Sequence, residues 1–146
     1  MVPYGRSYGL CPFLTTKKKI LWRALHDILR TKENLRRRKI LQDPSCPVCG
    51  LEPETISHIL WQCQSTRDVW SLGNRALQKS AIYEGNFGEV FENLLRRCSQ
   101  DEMVQVAGLA RRIWLRRYDV VFGGKLTSPQ SLLKRTDQVI TDFKLA

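Results

Sequence analysis

Apolar residues recur at helical spacing along nearly the whole chain. From Lys17, the stretch KKKILWRALHDIL places Ile20, Leu21, Ala24, Leu25, Ile28 and Leu29 at steps of three and four, the signature of one buried helix face. Thr31 predicts the cap of a short second helix, TKENLRRRKI, with Leu35 and Ile40 as its apolar contacts. DPSCP breaks the pattern, and helical spacing resumes in TISHILWQC, where Ile56, Ile59 and Leu60 are available to a core. Ser65, followed by Asp68, opens STRDVWSLGNRALQ in the manner of a capping box. Val69, Trp70, Leu72, Ala76 and Leu77 form its inner face. EGN separates it from FGEVFENLLRRC, whose stripe is Phe87, Val90, Phe91, Leu94 and Leu95.

Ser99 and Glu102 cap the longest expected helix, residues 103–122, through Met103, Val106, Ala107, Ala110, Ile113, Trp114, Tyr118 and Val121. FGGK ends it, and Ser128-Pro129 starts a last amphipathic helix. No segment alternates with the two-residue period of a strand, and no internal repeat is present. The pattern predicts an all-α fold, a small helical domain of about six helices pinned by one irregular loop. Residues 1–16 are expected to form an irregular arm, 17–125 the helical domain and 126–146 a C-terminal amphipathic helix.

Composition narrows the class. With 146 residues, 42% apolar and 26% charged, the chain suits one small globular domain. No apolar run approaches the roughly 18 residues of a membrane span, so no membrane partner is expected. The start, MVPYGRSYGLCPFL, lacks the long apolar stretch of a secretory signal, which makes a reducing compartment the expectation. Five cysteines there (Cys11, Cys46, Cys49, Cys63 and Cys98) point away from a disulfide framework and toward metal binding. The net charge of +10 is concentrated in residues 1–45, which carry +8, against +2 for residues 46–146. Such a segment suits phosphate backbones, acidic partners or nuclear import. A solvated helix face that binds nothing accounts for it equally well.

The broken stretch holds the chemistry. In CPVCGLEPETISHILWQC, Cys46, Cys49, His58 and Cys63 form the pattern C-x2-C-x8-H-x4-C. Two thiolates two residues apart can reach one ion from a tight turn, which Pro47 and Gly50 favour. Three thiolates and an imidazole would close a tetrahedral structural Zn²⁺ site with no position open for water. A helix starting near Thr55 puts His58 and Cys63 about one and a half turns apart, so Cys63 is expected at or past the helix end. The other reading of the same residues is a coincidental cysteine pair, with His58 and Cys63 simply in the core. Cys11 and Cys98 lie outside the pattern as buried or free thiols. His26, beside apolar positions, reads as a packed or half-exposed histidine.

KKKILWRALHDILRTKENLRRRKI followed by DPSCPVCGLEPETISHILWQCQSTRDVW resembles the zinc-binding domain of plant non-LTR, LINE-type, retrotransposon reverse transcriptases. The matching positions are Trp22, Arg23, His26, Leu29, Thr31, Asn34, Leu35, Arg38, Cys46, Cys49, His58, Cys63, Val69 and Trp70. IWLRRYDVVFGGK is similar to the segment that leads toward an RNase H domain in longer relatives, and the resemblance spans residues 17–125. Arg30 stands where the family commonly has proline, and Arg117-Tyr118 where it has an Arg-Asn pair. The resemblance implies one zinc ion on Cys46, Cys49, His58 and Cys63.

The chain has no room for a polymerase palm, and no tyrosine is followed by paired aspartates. Asp119, Asp137 and Asp142 are scattered and read as surface charges. The expectation is a non-catalytic, stand-alone module of retroelement origin. Nucleic acid, RNA or DNA at low sequence specificity, is the first expected partner. Lys17, Lys18, Lys19, Arg36, Arg37, Arg38 and Lys39 would contact phosphates, with Trp22 or Trp61 stacking on bases if exposed. The second expectation is a protein partner or a second copy, docked on Leu132, Leu133, Val139, Ile140 and Phe143 of the last helix unless that helix folds back on its own domain. Nucleus or cytoplasm is the expected location, with the RRRK run as an import signal. The acid-free residues 1–26 also share the bias of mitochondrial presequences.

Overall fold

Capping residues set most of the helix boundaries. A computed structural model describes residues 20–80 and 86–145, with side chains described for the last helix up to residue 142. The expected arm at 1–16, Cys11, Lys17, Lys18, Lys19 and the side chain of Phe143 lie outside the described residues. Among the described residues the structure is all-helical, apart from an isolated bridge between Ser45 and Pro53 in the cysteine loop.

Helix α1 covers residues 20–25 and ends sooner than the apolar spacing predicts. Asp27 takes a left-handed φ of 54°, a conformation its short polar side chain tolerates. The side-chain amide of Asn34 fixes this turn, donating to Asp27 Oδ1 at 3.1 Å and to Leu29 O at 2.9 Å. Leu21, Ala24 and Leu29 therefore reach the core, while Ile28 does not. Helix α2, Lys32–Arg37, starts as expected: Thr31 Oγ1 accepts from Asn34 N at 3.1 Å. Lys39 ends it in a left-handed conformation, which leaves Ile40 exposed beyond the helix.

The expected single helix from Ser65 is two helices. Cys63 occupies the cap position of α3, Gln64–Ser71, so Ser65 falls inside the first turn and no side chain caps the helix. Asn74 then starts α4, Arg75–Ser80, its Oδ1 accepting from Leu77 N at 3.0 Å. Gly73 permits the close approach at this break, because a Cβ there would lie 2.7 Å from Leu77 Cδ1. Leu72, turned out at the break, is exposed rather than part of the inner face.

Helix α5, Phe87–Arg97, is capped by Asn86 and buries Phe87, Val90, Phe91 and Leu94. Helix α6, Gln100–Gly123, carries the expected capping box, with Glu102 N donating to Ser99 Oγ at 3.2 Å and Ser99 N to Glu102 Oε1 at 2.8 Å. Gly124 closes it at φ 70°. The stripe from Met103 to Trp114 is buried, but Tyr118 and Val121 are exposed because α6 runs past the core. Helix α7, Pro129–Leu145, begins under Ser128, whose Oγ accepts from Ser131 N at 3.2 Å, and packs along α6 and α3.

Candidate metal centre

The C-x2-C pair sits on a backbone turn closed at both ends. Cys46 N donates to Glu52 O and Gly50 N donates to Cys46 O, each at 2.8 Å. Gly50 takes φ 70°, which a glycine adopts without strain. The turn directs the Val48 and Cys49 amides at the Cys46 sulfur, and the Leu51 amide at the Cys49 sulfur at 3.4 Å. On the other side, Thr55 Oγ1 accepts from His58 N at 3.0 Å and starts the helical segment that carries the remaining two residues.

That segment resolves the spacing problem. In a regular α-helix, residues five apart point about 140° away from each other. Here His58–Gln62 is wound as a π turn, and Cys63 N donates to His58 O at 2.7 Å across five residues. The wider winding accommodates one extra residue per turn, which returns His58 and Cys63 to the same side. Cys63 lies at the end of the turn, as expected, with extended ψ of 133°. It also opens α3, so the amides of Ser65 and Thr66 reach its sulfur. Thr66 Oγ1 donates to Ile59 O at 2.7 Å and ties α3 back across the π turn.

The ligand atoms of Cys46, Cys49, His58 and Cys63 lie within 4.8 Å of one another, and Cys49 Sγ is 3.3 Å from His58 Nε2. A zinc tetrahedron with metal–sulfur bonds of about 2.3 Å has edges of about 3.8 Å, so the cluster matches the size of one ion. Cys46 and Cys63 are buried, and the donor set is soft or borderline. Hydrogen bonds among the donors shift their proton affinities in opposite directions. A hydrogen bond to Cys63, followed by burial, pushes the Cys46 thiol up to about 12. The same hydrogen bond holds Cys63 below the usual thiol range. His58 is raised, first by its hydrogen bond with Cys46.

Residues 12–70 match the family model described as zinc-binding in reverse transcriptase. This segment is similar to the zinc-binding domain of reverse transcriptases. All four ligands fall within the match, and together they form a tetrahedral-type site for a single structural Zn²⁺. No curated protein and no solved structure matches the chain.

The ligand-bearing loop is clamped to α6 by a buried ion pair that the sequence reading missed. Glu54, fully buried just before the π turn, accepts from Arg117 Nε at 2.6 Å, and Arg117 Nη2 donates to its other oxygen. Lys32 N, at the start of α2, donates to Glu54 Oε1 at 2.7 Å. The Arg117 guanidinium also lies over the Trp114 ring, 4.4 Å from its centroid. Two features of the sequence bear on it: Arg117 lies in the segment similar to the one that leads toward an RNase H domain in longer relatives, and Glu54 is an acidic residue between the two ligand pairs.

The other candidate residues are spread over the surface and the core. His26 is outside the cluster and exposed, stacked on Trp22 at 4.2 Å. Trp22 is 51% exposed and Trp61 fully buried, so the two tryptophans that the sequence left equivalent are not. Arg36, Arg37, Arg38 and Lys39 are all exposed. Arg36 pairs with Glu33 and Arg37 with Asp27, whereas no ion pair among the described residues involves Arg38 or Lys39. Leu132 is buried, and Leu133, Val139 and Ile140 pack against the core, so α7 covers much of its apolar face within its own chain. Cys98 is a half-buried free thiol, and Asp119, Asp137 and Asp142 are exposed.

Proposed function

We propose that the chain is a non-catalytic zinc module that binds nucleic acid through the basic residues of segment 17–39. The observation that carries this reading is the exposed Trp22–His26 stack, with Arg23, Arg30, Arg36, Arg37, Arg38 and Lys39 exposed on the same short segment. Cations near an exposed aromatic face suit a single strand, with phosphates held by charge and a base stacked on the ring. The zinc site supports the surface indirectly: the α2 amide at Lys32 is bonded to Glu54, which leads into the ligand-bearing turn. Contacts of this kind are weakly sequence-specific and steeply salt-dependent.

The test is a salt series of binding to labelled single-stranded RNA and duplex DNA, with zinc assayed on the same protein. Affinity that falls steeply with salt, and falls further in Trp22→Ala for the single strand alone, supports the reading. Zinc-loaded protein that binds neither at low salt overturns it.

A second reading, a protein-interaction module, is favoured by a different surface from the one the sequence pointed to. Phe122 is 81% exposed at the end of α6, with Val121, Tyr118 and Leu126 also exposed nearby in the chain. Tyr118 and Phe122 stack at 6.1 Å. A pull-down that loses a purified partner on Phe122→Ser while zinc content is unchanged would support that reading.

A further inference from the structure

One buried charge has no counterpart in the fold described so far. Arg116 lies on α6, which packs against the π turn carrying His58 and ending at Cys63. The residue is 2% exposed. Nη1 donates to Thr127 O at 3.2 Å, and the buried Nη2 has no hydrogen-bond partner. The neighbouring Arg117 is paired with Glu54 through two nitrogens, but none of the ion pairs among the described residues includes Arg116. A buried, unpaired guanidinium is costly, because an arginine does not shed its proton to escape burial.

The groups near it explain its place. Burial disfavours the Arg116 charge, and the groups that favour it are, in order, Cys63, Asp68 and Cys46. Two of the three are zinc ligands. Zn²⁺ with three thiolates and a neutral imidazole carries a net charge of minus one, held here in a largely buried site. That excess is destabilising in a low-dielectric setting unless a cation offsets it. Asp68 is exposed and already accepts from Gln64 Nε2 at 3.0 Å, so it is a weaker claimant on the buried guanidinium.

We propose that Arg116 is the counter-charge of the zinc site, offsetting the extra thiolate of a three-cysteine ligand set and thereby setting how tightly this chain holds its metal. Arg116 is a tuning residue and not a ligand. The competing role is a strut, in which the bond to Thr127 O simply fixes the connection between α6 and α7. The two roles differ in what they do to metal affinity.

The experiment is zinc competition against a chromophoric chelator, using the full chain with Arg116→Gln and Arg116→Lys. Loss of the charge in Arg116→Gln is expected to weaken zinc binding by about tenfold or more, the scale of outer-sphere effects on metal sites. Arg116→Lys keeps the charge and should hold zinc close to the parent value even if its melting temperature falls. In Co²⁺-loaded protein the thiolate charge-transfer band should keep its position in both variants, since the ligands are unchanged. Arg116→Gln with parental zinc affinity overturns the proposal, as does Arg116→Lys losing as much as Arg116→Gln. Should the glutamine variant fail to fold, the lysine variant decides alone, supporting the proposal by tight binding and overturning it by loss. A further check is Cys49→His, which removes one negative charge from the ligand set. In that background the penalty of Arg116→Gln should largely vanish, and an undiminished penalty also overturns the proposal.

Discussion

Arg117→Met tests the clamp between the zinc loop and the long helix. The change keeps the length of the side chain but removes both donors to Glu54, which is fully buried. The carboxylate is then left with the Lys32 amide as its described partner. Breaking a buried pair by removing one member costs about 3–5 kcal/mol. The Arg117 side chain is only 7% exposed and the Glu54 side chain 0%, so solvent screening does not reduce that figure. For a chain of this size the melting temperature should fall by about 10 °C, at roughly 2–4 °C per kcal/mol.

The companion variant Glu54→Leu strands the arginine and should cost a similar amount. The double variant removes both charges and leaves the Lys32 amide unpaired, a loss of about 1–3 kcal/mol. The two single costs should therefore exceed the double by at least about 2 kcal/mol of coupling. Urea unfolding of zinc-saturated protein measures all three. The reasoning is refuted if each single change costs less than about 1 kcal/mol, the range of a surface pair, or if the two effects simply add.

Four further outcomes are expected. Cys49→Ser should lose the metal and much of the helical signal in circular dichroism, because structural zinc contributes directly to folding free energy; an unchanged melting temperature would contradict the zinc assignment. Metal uptake should weaken as pH falls, since zinc needs a neutral imidazole and thiolates, while hydrogen bonding with Cys46 raises His58 above its ordinary value of 6.5. A Co²⁺ titration that shows no weakening as pH falls through the raised His58 range would oppose this. Gly73→Ala should cost about 1–3 kcal/mol by overpacking against buried Leu77, read from denaturant midpoints. Cys98 is pushed up to about 11, first by burial, so alkylation of zinc-loaded protein should spare it near neutral pH and reach it only in strong alkali, as peptide mapping would show.

The parts of the fold that were legible in the sequence are those fixed by local chemistry. Thr31, Ser99 with Glu102, Gly124 and Ser128 act within one or two turns of themselves, so their residue types alone mark the helix ends. The four ligands were legible because their chemistry and spacing coincide. The π winding was visible only as a conflict, a histidine and a cysteine that a regular helix would keep apart. What stayed hidden depends on distant residues. The end of α1 is set by Asn34 reaching back to Asp27. The exposure of Trp22 against the burial of Trp61 is decided by how the helices pack, and both sit in similar apolar strings. Ser65 satisfied the capping pattern but lost the position to Cys63, whose backbone the π turn had already extended. Glu54 and Arg117 are 63 residues apart, beyond any local rule.

That last separation bears on what counts as a unit. The recognised family segment ends at residue 70, yet the arginine that neutralises its buried glutamate lies at 117. A peptide cut to residues 12–70 would keep every zinc ligand and still expose Trp61, Trp70 and an unanswered carboxylate. Metal loading and folding would then part company in such a fragment. What is inherited as a recognisable stretch is shorter than what must be translated together to stand up, and the smallest segment that folds is set by the ion pair rather than by the motif.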